Sequence, residues 1–166
     1  MLTIPRLVLK SFEDTDVEKM VEILTDSKIK ETFMIPDFET KENAIRMFER
    51  MKEQSCSEEH YVRGIYLQGE LIGFVNDVEL KENQIELGYV IHPEFQNQGY
   101  ATEMLDAVIQ ELFRKGFKEV VTGAFETNAA SRKVMEKCRM RLIDKVEDIE
   151  YRGKVHHCVY YSVTTL

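Results

Sequence analysis

The spacing of apolar residues changes within the segment 84–113. Over 84–91 apolar residues alternate with other residue types, which predicts a strand with one apolar face. From residue 102 they recur with a period of 3.6, which predicts an amphipathic helix whose apolar stripe is Met104, Leu105, Val108, Ile109, Leu112 and Phe113. A polar loop containing Pro93 and Gly99 separates the two. A strand, a short loop and a helix in this order predict an α/β fold.

The rest of the chain adds further strands and helices. Strands are predicted at 7–10, 61–67, 71–80, 118–125, 141–151 and 155–163. Helices are predicted at 15–24, 40–52 and 128–137. Thr40 and Asn128 are suitable N-caps for the second and third of these, and Asp14 or Thr15 for the first. The pattern predicts a mixed α/β sheet with helices packed on it.

Composition limits the classes of protein to be considered. The chain has 166 residues, 43% hydrophobic and 31% charged, which predicts one globular domain over residues 1–166. Asp and Glu (30) outnumber Lys and Arg (22), for a net charge of −8. Because proteins that bind a phosphate backbone are usually basic, a nucleic-acid partner is not expected.

Cysteine and histidine positions argue against a metal site or a disulfide framework. Cys56, Cys138 and Cys158 form no Cys-x-x-Cys pair, and their number is odd. His156 and His157 are adjacent, so on a strand they would point to opposite faces. No metal is therefore expected. The N-terminus lacks a signal-like apolar region and no apolar run is long enough to span a bilayer, so we expect a cytoplasmic protein with no membrane partner.

The loop before the long helix has the properties of an anion site. Backbone N–H groups of such a loop can converge on one point, and the helix N-terminus adds about half a positive charge. A phosphate or pyrophosphate fits this chemistry, although the loop has neither the P-loop motif nor Gly-x-Gly-x-x-Gly. An ordinary connection, in which Gly99 only supplies a positive φ, stays open as the alternative.

Several motifs resemble those of the GNAT superfamily of acetyl-CoA-dependent N-acetyltransferases. Gln96-Asn-Gln-Gly-Tyr-Ala101 resembles its Gln/Arg-x-x-Gly-x-Gly/Ala signature. Further resemblance lies in Arg6-Leu-Val-Leu, Glu86-Leu-Gly-Tyr-Val-Ile-His-Pro93, Asn128-Ala-Ala-Ser131, Met135-Glu-Lys-Cys138 and Tyr151-Arg-Gly-Lys-Val-His-His-Cys-Val-Tyr-Tyr161. The branch that the chain most resembles acetylates ribosomal-protein N-termini, spermidine and other small amines. The resemblance implies the GNAT fold, with a mixed, mostly antiparallel central sheet of about seven strands flanked by about four helices.

The resemblance also implies a set of acetyl-CoA-binding residues, with acetyl-CoA as co-substrate. The backbone of Tyr89, Val90 and Ile91 would bind the pantetheine amides, and one of its N–H groups would stabilise the thioester oxyanion. The pyrophosphate would bind Gln96, Asn97, Gln98, Gly99, Tyr100, Ala101 and Thr102. The next helix would add Asn128, Ser131 and Lys133. For these three the alternatives are an N-cap (Asn128) and solvated helix positions (Ser131 and Lys133).

Catalysis requires removal of a proton from the amine. Glu86 lies on the strand that the resemblance places beside the pantetheine, and a carboxylate there would be the general base. An exposed strand residue or an anchor for a cationic substrate is the alternative. Many GNAT enzymes have a Tyr acid where this chain has Met135. Ser131, or a Tyr of the last strand (Tyr160 or Tyr161), is the substitute candidate, unless the thiolate, with a pKa of about 8.5, leaves without a dedicated acid.

These inferences predict an N-acetyltransferase. The acetyl group of acetyl-CoA would pass to a primary amine, on a small molecule or a peptide N-terminus, by direct attack in a ternary complex. An acetyl-CoA-binding sensor with little catalysis is the alternative, and a module for another phosphate ligand, such as a nucleotide, is the second. A homodimer is possible. Arg139 stands where the family usually has a Gly that ends a helix in the left-handed region, at an expected cost of about 1 kcal/mol.

Overall fold

The computed structural model describes residues 1–165. Its strands are β1 (Leu2–Thr3), β2 (Leu7–Lys10), β3 (Val62–Leu67), β4 (Glu70–Leu80), β5 (Gln84–Ile91), β6 (Glu119–Phe125), β7 (Arg141–Tyr151) and β8 (Lys154–Thr164). Its helices are α1 (Val17–Leu24), α2 (Ser27–Thr32), α3 (Lys41–Ser55), α4 (Tyr100–Arg114) and α5 (Ala129–Lys137). Two 3₁₀ turns lie at Asp14–Asp16 and Pro93–Phe95.

The eight strands form one mixed sheet in the order β1-β2-β3-β4-β5-β6-β8-β7. β5 and β6 pair in parallel, whereas β1–β2, β2–β3, β3–β4, β6–β8 and β7–β8 are antiparallel. The mixed, mostly antiparallel sheet predicted from the sequence is confirmed. Eight strands and five helices replace the predicted seven and four, because β1 has two residues and α2 has six. Elements this short carry no readable periodicity.

The boundaries of the predicted elements are largely confirmed. Thr40 is the N-cap of α3, and its hydroxyl accepts a hydrogen bond from the Asn43 amide at 3.2 Å. The predicted cap of α1 was wrong: the cap is Asp16, because the 3₁₀ turn Asp14–Asp16 takes up the two candidate residues. α4 begins at Tyr100, two residues earlier than its apolar stripe indicates, because the first turn of a helix need not be apolar.

The chain divides into two compact units, and whether it is one domain stays a prediction. The first unit comprises Met1–Asn76 and Tyr89–Tyr100. α1, α2 and α3 contribute to its apolar core, together with β3, β4 and the end of β5. The largest side chains of this core that solvent does not reach are Phe48, Phe74, Met20, Ile23, Leu24 and Ile35.

The second unit comprises Asp77–Gly88 and the described residues from Ala101 onward. A small apolar cluster covers one face of β6, β7 and β8; its members are Val121, Phe125, Cys158 and Tyr160, with Ile143, Ile149 and Tyr151 packed against them. Tyr160 pairs with Gly123 of β6. A side chain at Gly123 would place its Cβ 2.7 Å from the Tyr160 ring, so the glycine lets the ring lie against the sheet.

The end of α5 confirms the expectation for Arg139, which has a φ of 64° in the left-handed region. The Arg139 amide donates to the Glu136 carbonyl at 3.0 Å, and the Met140 amide donates to the Met135 carbonyl at 3.0 Å. These two bonds form a Schellman motif, which normally favours glycine at the position of Arg139. These two hydrogen bonds therefore keep Arg139 in a left-handed conformation that is unfavourable for a residue with a Cβ.

Replacing Arg139 by Gly should stabilise the fold. Removing the Cβ relieves about 1–2 kcal/mol of left-handed strain, and the greater freedom of glycine in the unfolded chain offsets part of it, which leaves a gain of about 0.5–1 kcal/mol. Urea unfolding at equilibrium measures this. Arg139→Ala is the matched control, because it removes the charge but keeps the strain. An equal gain in both variants would assign the effect to charge.

Candidate active site

The loop after β5 is held at its start by a buried histidine. The His92 Nδ1 accepts a hydrogen bond from the Glu94 amide at 3.2 Å, so the ring carries its proton on Nε2. That proton is donated to the Glu22 carboxylate at 2.8 Å. His92 is buried, and it precedes the 3₁₀ turn Pro93–Phe95 as its N-cap. The histidine thus fixes the direction in which the chain leaves the sheet.

The following residues form the loop that was predicted to bind an anion. The Gln96 side-chain amide donates to the Ile91 carbonyl at 2.8 Å, so this side chain closes the loop on itself. Asn97 has a φ of 61° and Gly99 a φ of 84°, so both residues lie in the left-handed region. Left-handed residues within a turn can direct backbone N–H groups toward one point, which favours the binding of an anion. The first turn of α4 adds N–H groups without intrahelical partners, as any helix start does.

A guanidinium group lies against this loop. The Arg6 Nη1 donates to the Gln98 carbonyl at 3.1 Å, and the guanidinium carbon lies 4.4 Å from the centre of the Tyr100 ring. A Cβ built on Gly99 would be 3.3 Å from Nη2 of the same side chain. Arg6 was not identified as a site residue from the sequence, because it is 92 residues from the carbonyl it binds. Its place in the N-terminal motif was the available signal.

β5 extends beyond its pairing with β6 and leads into the loop. Its parallel pairing with β6 covers four residue pairs, from Gln84–Glu119 to Leu87–Thr122. The strand continues to Ile91, so Tyr89, Val90 and Ile91 follow the last of these pairs. The backbones of β4 and β5 approach each other closely at Gly73 of β4. A Cβ at this position would lie 2.0 Å from the Val90 carbonyl oxygen. The binding of pantetheine by residues 89–91 stays a prediction.

The start of α5 confirms one of the two interpretations of Asn128. Its Oδ1 accepts a hydrogen bond from the Ser131 amide at 3.2 Å, as expected of an N-cap. The cofactor role of Asn128, Ser131 and Lys133 is compatible with this cap and stays a prediction; Ser131 is half-buried and Lys133 exposed. Met135 is fully buried. A tyrosine at its position would enter the core and would not provide an accessible acid.

A charged cluster surrounds Glu86 in the second unit. The Glu86 side chain is only 12% exposed, and its Oε2 lies 3.6 Å from the Lys145 Nζ. The same Nζ lies 3.8 Å from the Glu147 carboxylate and 4.3 Å from the centre of the Tyr160 ring. Burial raises the pKa of Glu86, whereas the Lys145 ammonium lowers it. The net shift is upward, which brings this carboxyl group closer to neutral pH as a proton acceptor.

Tyr160, one of the predicted acids, has its hydroxyl bonded within this cluster. The hydroxyl donates to the Glu147 carboxylate at 3.0 Å. Burial raises the pKa of Tyr160 above its ordinary value, and this hydrogen bond raises it further. A phenol with a raised pKa is a poor proton donor toward a thiolate. Lys145, Glu147 and Gly123 were not identified from the sequence, because only the pairing of β6, β7 and β8 brings them to Glu86.

The buried thiol of Cys138 was considered as a second reactive group. Cys138 is buried, its thiol donates to the Thr102 carbonyl at 3.5 Å, and burial raises its pKa to about 12. A thiol with this pKa carries almost no thiolate at neutral pH, so Cys138 is not a nucleophile. Within residues 1–165, no three His, Cys, Asp or Glu side chains are grouped to hold a metal ion. No helix in this part of the chain is long and apolar enough to cross a membrane.

Residues 6–141 match the family model of the acetyltransferase (GNAT) domain. The chain belongs to the GNAT acetyltransferase family. An uncharacterized N-acetyltransferase of Bacillus subtilis, YnaD, is 28% identical over 144 residues, which cover 84% of this chain and 82% of the relative. The protein is accordingly an acetyl-CoA-dependent N-acetyltransferase.

Solved GNAT structures share the fold. RimL, the ribosomal L7/L12 alpha-N-protein acetyltransferase in complex with coenzyme A, aligns with a TM-score of 0.84 at 18% identity, covering 97% of this chain and 95% of the other. Spermidine N-acetyltransferase from Vibrio cholerae, in complex with CoA and spermine, aligns with a TM-score of 0.82 at 16% identity, covering 96% and 95%. At these identities the likeness concerns the fold.

The loop of this GNAT enzyme fits the phosphates of acetyl-CoA. Asn97 and Gly99 of this loop are left-handed, Gly99 presents no side chain, and Arg6 adds a guanidinium group. We expect residues 96–101 and Arg6 to hold the pyrophosphate. When bound, acetyl-CoA supplies the activated acetyl group, as a thioester.

Replacing Arg6 by Met should weaken coenzyme A binding about tenfold, the loss typical of one charge-assisted hydrogen bond. Isothermal titration calorimetry with coenzyme A measures this. Arg50→Met on the exposed surface of α3 is the matched control, since it removes the same charge away from the loop. Equal affinities of all three proteins would show that Arg6 does not contribute to phosphate binding.

Proposed function

We propose that this enzyme acetylates a primary amine by direct attack in a ternary complex, with Glu86 as the general base that removes the proton from the ammonium form. The observation that carries the proposal is the environment of Glu86. Its carboxylate is largely withdrawn from solvent, yet it lies within a cluster that already accommodates an ammonium group, that of Lys145. Carboxylates and an aromatic ring face are the groups that bind ammonium ions in proteins.

The chemistry requires this combination because the nucleophile must be neutral. An amine with a pKa near 10.4 is almost entirely ammonium at neutral pH. A carboxylate first attracts the ammonium form and then accepts its proton, directly or through one water. The raised pKa of Glu86 makes its carboxylate a stronger proton acceptor than an exposed one. We assign no dedicated acid, since a thiol with a pKa of about 8.5 is already a good leaving group.

The acceptor is proposed to be a small cationic amine or a peptide N-terminus. The proteins RimL and spermidine N-acetyltransferase, which share the fold, are named for these two substrate types. An acceptor panel of polyamines, amino acids, aminoglycosides and N-terminal peptides, with CoA release as the readout, tests the proposal. Release with one class and not with the others names the acceptor. No release above hydrolysis with any amine would contradict the proposed function and favour a sensor.

Glu86→Gln should lower kcat by about 100-fold, the low end of general-base effects. Coenzyme A affinity should be unchanged, because the amide keeps the size of the side chain. In the wild type, activity should fall as the pH drops through the raised pKa of Glu86, since only the carboxylate accepts a proton. Steady-state kinetics over a pH range measure both effects.

Glu82→Gln is the control for this variant, because it removes one exposed carboxylate of the same unit. It should leave kcat within about twofold, since an exposed charge acts weakly through solvent. A rise in the acceptor KM alone in Glu86→Gln would make Glu86 a charge anchor. If neither kcat nor the acceptor KM changes, water and not Glu86 accepts the proton of the amine.

Tyr160→Phe should change kcat by less than about tenfold. The phenol donates its proton to Glu147 and its pKa is raised, so it does not protonate the thiolate efficiently. Single-turnover measurements at saturating acetyl-CoA check this. Ser131→Ala should be similarly mild. A loss of about 1000-fold in either variant, with coenzyme A affinity intact, would identify that residue as a dedicated acid.

A further inference from the structure

The pairing of β7 with β8 contains an irregularity beside Glu86. Leu142 pairs with Tyr161 and Val146 pairs with Val159, so three residues of β7, 143–145, stand opposite Tyr160 alone. Two extra residues in one strand bend it and change the direction of its side chains. Bulges of this kind are frequent next to active sites. Neither the fold nor the proposed function accounts for this one.

The last residue of the bulge is Lys145, and its ammonium is held from three sides. Its Nζ lies 3.6 Å from the Glu86 Oε2, 3.8 Å from the Glu147 Oε1 and 4.3 Å from the centre of the Tyr160 ring. The Tyr160 hydroxyl in turn donates to the other oxygen of the Glu147 carboxylate at 3.0 Å. Three groups on three strands therefore set the position of one long side chain, which is unusual for a lysine that is 38% exposed.

We propose that Lys145 is the positioning residue of the base: its ammonium holds the Glu86 carboxylate in place and keeps it ionised. This inference rests on the role given to Glu86 in the proposed function. The bulge supplies the geometry, because it brings a residue of the edge strand β7 to a side chain of β5, with two strands, β6 and β8, between them in the sheet order. Lys145 acts through Glu86 and transfers no proton itself.

The charges around Glu86 show why a cation is needed there. Glu79 of β4 and Glu147 of β7 both disfavour its ionised form, and so does its own burial. Its partner on β6 is Val121, which is uncharged. The Lys145 ammonium opposes these effects. Without it, a largely buried carboxyl group near two other carboxylates would stay protonated up to a higher pH and could not accept a proton from the amine there.

The ionisation of Glu86 can be measured directly, without turnover. In protein labelled with ¹³C at the Glu side-chain carboxyl carbon, the chemical shift of Glu86 reports its protonation, and Glu86→Gln assigns the signal. In Lys145→Met, which keeps most of the aliphatic stem, the titration midpoint should rise by about one pH unit, the low end of the effect of an opposite charge at this distance. Lys145→Gln, a second neutral variant, should give the same rise.

Two further variants separate charge from structure. Lys145→Arg retains the positive charge and should keep the midpoint within about 0.3 units of the wild type, a small part of the expected effect. Lys154→Met removes a lysine from the exposed start of β8 and should leave the midpoint unchanged. An unchanged midpoint in both neutral variants would overturn the inference, as would an equal rise in Lys154→Met.

Kinetics distinguish this inference from the proposed function. If Glu86 is the base, the ratio of variant to wild-type kcat/KM for Lys145→Met should fall by about tenfold below the titration midpoint and recover at high pH. The titration of the amine itself cancels in this ratio. A ratio that is low at every pH would indicate a structural role and contradict the inference. A shifted midpoint with an unchanged pH–rate profile would show that Lys145 controls the ionisation of Glu86 but that Glu86 is not the base.

Discussion

The parallel pairing of β5 with β6 determines where the candidate site lies. Two parallel strands need a crossover connection, and in this chain the crossover is α4. The loop before α4 must therefore leave the carboxyl end of β5, and the N-terminus of the helix must begin there. In α/β sheets this is the end at which phosphate-containing ligands bind, because the backbone N–H groups and the helix dipole meet at it. The loop of residues 92–99 follows from that constraint.

β5 also holds Glu86, in the part of the strand that pairs with β6. Glu86 lies within the four residue pairs that β5 makes with β6, so its side chain has a fixed direction. Three residues further along, Tyr89 begins the segment proposed to bind pantetheine. Sheet pairing fixes the backbone of the base and the face on which its side chain lies, which limits the conformational freedom lost in the transition state. The glycine at position 123 serves the same geometry by letting Tyr160 lie against the sheet.

The surroundings of Glu86 balance two opposing effects. Burial makes the carboxylate a stronger proton acceptor, but it also favours the protonated, inactive form. A nearby ammonium limits the second effect. Arg139 shows a different balance. Its left-handed conformation, which glycine would adopt without strain, is stabilised by the two hydrogen bonds of a Schellman motif. The structure shows no effect of this residue on the candidate site.

The sequence by itself determined the local features of this protein. Alternation over 84–91 and the 3.6-residue stripe of α4 predicted the strand, the loop and the helix, and side-chain chemistry predicted the caps Thr40 and Asn128. Glu86 was identified because its strand and its motif are contiguous in the chain. Periodicity and capping depend on neighbours within about four residues, so they can be read in one dimension.

Tertiary structure alone decided which distant side chains surround these local features. Arg6 donates to the Gln98 carbonyl, 92 residues away in the chain, and Lys145, in a bulge of β7, lies 3.6 Å from the Glu86 carboxylate. A bulge shifts every later side chain of a strand, and the residues around it carry no spacing that marks it. The two short elements β1 and α2 escaped prediction for a related reason, since they are formed by pairing and capping and not by a periodic pattern.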